Sequence, residues 1–424
     1  MSPRIHVTDM QGRRHVSMRE HERDTVVVIG AGLAGLTAAA TAARAGKHVV
    51  AVEAHAGGGR ARTDVRGGYR FNQGAHALVR GGPAWRILGE LGVAHHGHQP
   101  PARGTGAIRD GERLSLLNGR TVKALTKILA ASPTKWAGRS AAEWAESLGG
   151  GDLSDLARMF IRVSSYASDL EAMPADLAIS QLKAGARGVS YLDGGWASLV
   201  SGLSSVASAA GATIRDHSSV AGVSSAPGGW EVTLGNDEVI GAAAVIVAAG
   251  GPAMTRKLLP VDPGWSELGP PVTAACLDLG LQGKRPPLTF GLNEPLYLSR
   301  HSPPGDLAPK RGSVVHLLRY GAREAGADRA ELRRFAQLGG ITDDQIVEER
   351  FLANMVVTHM LPHPEGGLRS RPAVNIPGAE GIFLAGDWVG AQGWLADAAM
   401  SSGQRAGMLA AKTAAAGPKL SQVA

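Results

Sequence analysis

The chain has almost no cysteine. A single thiol, Cys276, among 424 residues forms no internal disulfide and no cluster of thiolate ligands, which fits a reducing cytoplasm. Aromatic residues are scarce, at 4%. No run reaches the roughly 18 apolar residues that a membrane-spanning helix needs. Residues 1–24 are polar and mixed in charge, without the apolar stretch of a secretory signal, and read as a loose arm. Met18 is an alternative start. No H-E-x-x-H, phosphate-loop or Ser-His-Asp pattern occurs, so zinc peptidase, P-loop and serine hydrolase chemistry are set aside. The cluster His95, His96 and His98 lacks a fourth ligand, and no metal is expected. No nucleic-acid recognition motif is present either.

Glycine, by contrast, is abundant at 58 residues, and 44% of the chain is hydrophobic. That length and composition suit about two or three domains of ~150 residues with sizeable cores. The net charge is +7 and unevenly spread. The segment from Arg103 to Arg139 carries eight basic residues against two acids. Leucines, valine and isoleucine are interleaved with them. A solvated helix face accounts for this pattern, and so does a peripheral contact with anionic lipid.

The chemistry begins at Thr25–Ile29, "TVVVI", a β-branched apolar run suited to a central parallel strand. "GAGLAG" follows, with Gly30, Gly32, Ala34 and Gly35 in G-x-G-x-x-G register. Then come a helix of small residues, a second strand from His48 to Val52, and Glu53. Each part has a mechanical reason. Gly30 makes the tight turn, Gly32 admits a pyrophosphate, and Gly35 lets helix and strand pack closely. The helix N-terminus faces the phosphates. Glu53 is placed to accept from ribose hydroxyls. Gly58, Gly59 and Arg60 add a second glycine turn ending in a cation, which a plain nicotinamide domain does not need and a stretched FAD does. Gly74, Ala75 and His76 follow a short strand, where small residues admit a flat ring system. Near the other end, "GIFLAGDWVG" is an apolar strand that stops on Gly386-Asp387. A turn or a helix cap is the simpler account of such an acid taken alone.

The stretches "VVVIGAGLAGLTAA", "EAHAGGGRART", "YRFNQGAHALVRGGPAWRILGELGV", "YLDGGWASLVSGL", "AAAVIVAAGGPAM" and "GIFLAGDWVGAQGWLADAAMSSGQRAG" occur in that order. In this combination the chain resembles the flavin-containing amine oxidase and phytoene desaturase superfamily, nearest to the bacterial phytoene desaturase-related oxidoreductases. The resemblance implies an α/β fold, with a Rossmann-like FAD-binding domain interleaved with a substrate domain of mixed sheet and helices. It places residues 25–98, 191–265 and 375–413 in the FAD domain, and 99–190 and 266–374 in the substrate domain. Residues 414–424 form a tail. It puts Gly386 and Asp387 at the flavin's ribityl-diphosphate, Leu395 and Ala396 at a helix start facing the flavin ring, Val220 near the adenine and Gly250 near the diphosphate. Cys276 lies far from the late flavin motif, so the FAD is expected to be non-covalent.

The resulting expectation is an FAD-dependent oxidoreductase that removes hydride from a largely apolar, isoprenoid-like or polyene-like carbon substrate. Oxygen or a quinone-type acceptor takes the electrons. His76 and Trp394 are the candidates for the flavin-facing wall, although a buried structural histidine also explains His76. Tyr297, His316 and Tyr320 are further wall candidates. The alternatives are an amine or amino-acid oxidase and a redox-neutral isomerase. The five tyrosines offer no nameable aromatic pair in the sequence, which argues against an amine cage. Between the motifs, residues 82–190 read as mostly helical, and Asp343 to Glu349 reads as an acidic helix.

Overall fold

The computed structural model describes residues 6–8, 14–16, 24–101, 104–116, 118–265, 268–283 and 285–416. Met18, Arg103 and residues 417–424 lie outside the described residues.

All five residues of Thr25–Ile29 are buried, as expected of a strand covered on both faces. It pairs in parallel with His48–Val52 on one side and Ala244–Val247 on the other. Thr213–Arg215 and Ile382–Leu384 complete a five-stranded parallel sheet. The period of two divides its side chains between two cores. Val26 and Val28 pack toward the helices Leu33–Arg44, Ala197–Ala209 and Ala396–Ala416. Val27 and Ile29 pack with a three-stranded antiparallel sheet, Val220–Ala226, Gly229–Leu234 and Val239–Ala242. The C-terminal helix lies close against the first one. A Cβ added at Gly403 would stand 2.3 Å from the Ala34 carbonyl oxygen, and one at Gly407 would stand 2.6 Å from that of Ala38.

A second sheet of seven strands runs in the order Glu112–Ser115, Gly106–Arg109, Thr289–Gly291, Leu296–Ser302, Gly312–Tyr320, Val272–Gln282, Ile346–Thr358. All neighbours are antiparallel except Thr289–Gly291 and Gly106–Arg109. Alternation again sorts its faces. Ala275, Leu277, Leu279, Leu317, Leu296 and Leu298 pack under the helix Ala325–Leu338. Ala274, Cys276, Tyr297, Leu318 and Tyr320 share another core, with residues of the helices Gly119–Ala130 and Gly151–Ser165. The short helix Ala141–Glu146 and the helix Ala175–Gly185 complete the helical cap.

One local expectation changes. Asp343–Gln345 is a single 3-10 turn, and Ile346–Thr358 is an edge strand rather than a helix. Its acids are matched across space: Glu349 pairs with Arg329 at 2.5 Å and with Arg333, both on Ala325–Leu338. Within 82–190 helices predominate, but short strands follow the opening helix Pro83–Glu90. Gly106–Arg109 and Glu112–Ser115 form a hairpin at the sheet edge, so only the later part of the basic segment is helical. Arg109 there is held by Asp152 at 2.9 Å and by Asp155 at 2.8 Å. Among the described residues no helix is long and apolar enough to cross a membrane.

Candidate active site

The site begins at the end of the first strand. Gly30 turns with φ +104°, and a Cβ there would lie 2.7 Å from the Ala248 carbonyl oxygen. Only glycine combines that conformation with that approach. At Gly35 a Cβ would meet the Gly30 carbonyl oxygen at 1.8 Å, whereas at Gly32 it would meet nothing within 4 Å. Gly32 is the N-cap of Leu33–Arg44, and no side chain caps that helix. The result is an open backbone cradle at an uncapped helix N-terminus beginning at Leu33 and Ala34, which suits a phosphate.

The second glycine turn docks onto the first. Gly58 donates to the Ala31 carbonyl at 2.8 Å, and Gly59 sits beside Gly32, 3.7 Å from its Cα to the position of an added Cβ. The Glu53 carboxylate closes the turn. It accepts from the Ala31 amide at 2.8 Å and the His55 amide at 3.1 Å. Each carboxylate oxygen keeps a second lone pair for another donor. The Ser218 amide bonds the Glu53 carbonyl at 2.7 Å, which brings Val220 to the same end of the sheet. Gly250, in the loop after Ala244–Val247, accepts at its carbonyl from the Trp388 indole at 3.1 Å.

Asp387 answers the front of the chain across 327 residues. Its carboxylate is buried and accepts from Arg60 Nη1 at 2.9 Å, His359 Nδ1 at 2.9 Å and the His359 amide at 3.2 Å. Burial alone pushes its pKa up. The charge of Arg60 and the bond from His359 outweigh that and hold the group far below the ordinary carboxylate range. Gly386 is fixed by Ser402, whose hydroxyl bonds both its amide and its carbonyl at 2.9 Å. Arg371 straps the loop from inside, donating to the Asp387 carbonyl and the Gly393 carbonyl at 2.8 Å each. Burial lowers the Arg371 pKa to about 10. The sequence reading named neither His359 nor Arg371. His359 was visible at the end of "NMVVTH", but its partner Asp387 is distant in the chain.

Leu395 opens the C-terminal helix in a left-handed conformation, φ +55°, unusual for a non-glycine residue. Ala396 follows as the first helical residue. Asp397, also missed, accepts from the Ala84 amide at 2.8 Å. Burial raises its pKa to about 6.

Gly74, with φ +90°, and Ala75 lie over the second sheet: an added Cβ at Gly74 would stand 4.0 Å from Cys276 Sγ. The Tyr166 hydroxyl donates to the Ala75 carbonyl at 2.5 Å. His76 bonds the Gly74 carbonyl at 3.1 Å and meets the Trp196 ring edge-on, centroids 4.8 Å apart. Burial lowers its pKa to about 4, so the ring is neutral. Beneath this segment the sheet gathers aromatic rings. Tyr166 and Tyr320 lie 5.9 Å apart, Tyr297 and Tyr320 6.5 Å, and Phe290 and Tyr297 5.6 Å. His316 lies on the same sheet, directly opposite Asp278.

Trp394 is 2% exposed, its indole donates to the Ser165 carbonyl at 3.0 Å, and it packs in the core of the helical cap. Tyr297, His316 and Tyr320 are buried to a similar degree. The tyrosine argument changes, because four of the five tyrosines, Tyr166, Tyr191, Tyr297 and Tyr320, converge through the fold.

The chain is similar to several known proteins. Over 74 residues the chain is 42% identical to a phytoene desaturase from Cercospora nicotianae, 17% of this chain and 12% of that one. Over 81 residues it is 41% identical to an all-trans-retinol 13,14-reductase from Macaca fascicularis, 18% of this chain and 13% of that one. These matches thus span only about an eighth of the curated relatives' lengths. The fold matches the crystal structure of an oxidoreductase from Methanosarcina mazei at a TM-score of 0.72 and 18% identity, covering 91% of this chain and 99% of the other. Residues 33–282, more than half the chain, match the model of the flavin containing amine oxidoreductases, and the chain belongs to that family.

Proposed function

We propose that the protein is an FAD-dependent oxidoreductase that removes hydride from a largely apolar carbon substrate. The observation that carries this reading is the packing of an aromatic and aliphatic core, with Tyr297, Tyr320, Phe290 and Leu318, against the Gly74–Ala75 segment. The open face at Gly32, the uncapped helix and the adjoining Gly59 fit a diphosphate. Glu53 suits the ribose end and the Arg60–Asp387 pair the ribityl end. Bound there, the flavin supplies a two-electron acceptor for hydride. The chain's own residues bind, orient and exclude water. The neutral His76 adds no charge to the apolar side. A non-covalent FAD is supported by the one thiol, Cys276, being fully buried and bonded to Asp278 at 3.0 Å. Oxygen or a quinone-type compound takes the electrons onward.

The converging tyrosines support a second reading, an amine oxidase, because paired rings can hold a cationic nitrogen. Against it stands Arg162, whose guanidinium lies close enough to Tyr320 to interact with it and would repel a bound ammonium. Anaerobic mixing of the holoenzyme with C20 and C40 isoprenoids, or with primary amines, tests the choice. Bleaching of the flavin absorbance by isoprenoids alone supports the first reading. Bleaching by amines alone replaces it with the second.

A further inference from the structure

The second sheet carries a line of polar side chains that the proposed chemistry does not use. Asp278, His316 and His301 are fully buried. Asp278 stands directly across from His316 on one side and from Arg350 on the other. Its carboxylate takes His316 Nδ1 at 2.5 Å, Arg350 Nε at 2.8 Å, Arg350 Nη2 at 2.5 Å and the Cys276 thiol at 3.0 Å. Arg350 also reaches Asp64 at 2.6 Å. With four donors Asp278 is saturated, and the adjacent guanidinium makes a metal ion at Cys276, Asp278 and His316 electrostatically unfavourable. His316 uses Nδ1 for the carboxylate, and its Nε2 has no partner among the described residues. His301 lies beside it, ring centroids 4.5 Å apart, and stacks on Tyr191 at 3.7 Å. Neither of its nitrogens has a partner among the described residues, and the same holds for the Tyr320 hydroxyl. Burial keeps His301 neutral, so it offers one donor and one acceptor.

Unpaired buried polar groups each cost about 1–3 kcal/mol, and here several occur together on the sheet that carries the aromatic core. We infer that His316 and His301 form a polar anchor that binds a hydroxyl group on the otherwise apolar substrate. The hydroxyl bonds His316 Nε2 and a ring nitrogen of His301. This inference rests on the apolar-substrate reading and adds the polar group by which such a molecule is held.

The test measures binding rather than turnover. Geranylgeraniol and the C20 hydrocarbon of the same skeleton are titrated into the holoenzyme, and the perturbation of the flavin spectrum is followed. The wild type should bind the alcohol at least about tenfold more tightly, the worth of one or two buried hydrogen bonds. His301→Phe keeps the stacked ring and removes only unpaired nitrogens, so thermal stability should hold or rise while the preference for alcohol falls about tenfold. Equal affinity of wild type for alcohol and hydrocarbon would overturn the anchor and leave the apolar reading standing. So would an alcohol preference untouched by His301→Phe. If neither C20 compound binds while a primary amine does, the apolar reading itself fails.

Discussion

At Asp387 one carboxylate carries a structural role and a proposed role in binding. It is buried, and three donors from two distant segments converge on it. Asp387→Ala strands the His359 ring and one face of Arg60. Because Arg60 is 42% exposed, water compensates part of the loss, and a cost of about 2 kcal/mol is expected. Urea denaturation of the apoprotein measures this. FAD affinity should drop by about tenfold or more with it, and unchanged affinity would refute the ribityl role. The depressed pKa of Asp387 makes its contribution fully present above the ordinary carboxylate pKa of about 4. It is lost as the pH falls below that value. Asp397 has the opposite sign. Its pKa, raised from 3.8 to about 6, means the folded state holds more protons between those values. Stability therefore declines as pH rises from about 4 to 6. Asp397→Asn keeps the acceptor for Ala84 and should raise the melting temperature at pH 8 while leaving it unchanged at pH 3.5. A rise of equal size at both pH values would refute the assignment.

At the scale of elements, the cofactor cradle depends on how two helices touch. Gly403 and Gly407 let Ala396–Ala416 lie directly on Leu33–Arg44. Gly403→Val must push the helices apart, at a cost of about 1–3 kcal/mol. The shift moves the helix N-terminus at Leu33, so FAD affinity should fall together with stability. Retained affinity in a destabilised variant would separate the two. The helix Gly119–Ala130 shows the reverse situation, an apolar face left exposed among the described residues. Val122, Leu125 and Leu129 are 63%, 40% and 53% exposed, while Ala124 and Ile128 turn inward. Lys123, Lys135 and Arg139 lie in the same segment. Binding to anionic vesicles that weakens with salt is expected, and serines at positions 122, 125 and 129 should reduce it. Equal sedimentation with neutral and anionic vesicles would leave this face merely solvated.

For the whole molecule, the parallel sheet is assembled from four separated stretches, and its last strand and helix come from the chain's end. The purified protein should be yellow, with FAD released by acid or heat. Added FAD at a hundred times its Kd should stabilise the apoprotein by about 2.7 kcal/mol, seen as a rise in melting temperature. Ending the chain before Ile382 removes an edge strand, Asp387 and the helix against Leu33–Arg44. FAD binding should then be lost even though the G-x-G-x-x-G turn is intact.

The sequence by itself determined the parts whose chemistry is local. The turn at Gly30–Gly35 was legible because strand, glycines, helix and acid follow one another within about one structural unit. The strand before Gly386-Asp387 was legible for the same reason. Only the tertiary structure decided who meets whom. Trp394 read as a wall because it sits beside a motif, and its bond to the Ser165 carbonyl appears only in the fold. Asp343 to Glu349 read as a helix because its acids were counted without Arg329 and Arg333, which lie on another element. The polar line of Asp278, His316 and His301 left a faint trace, a lone acid in "AACLDLGL". Its meaning needed strand register, which places Asp278 opposite both His316 and Arg350. Register is set by pairing between strands far apart in the chain, under the joint demand to bury one face and satisfy every backbone group, so no single stretch of sequence contains it.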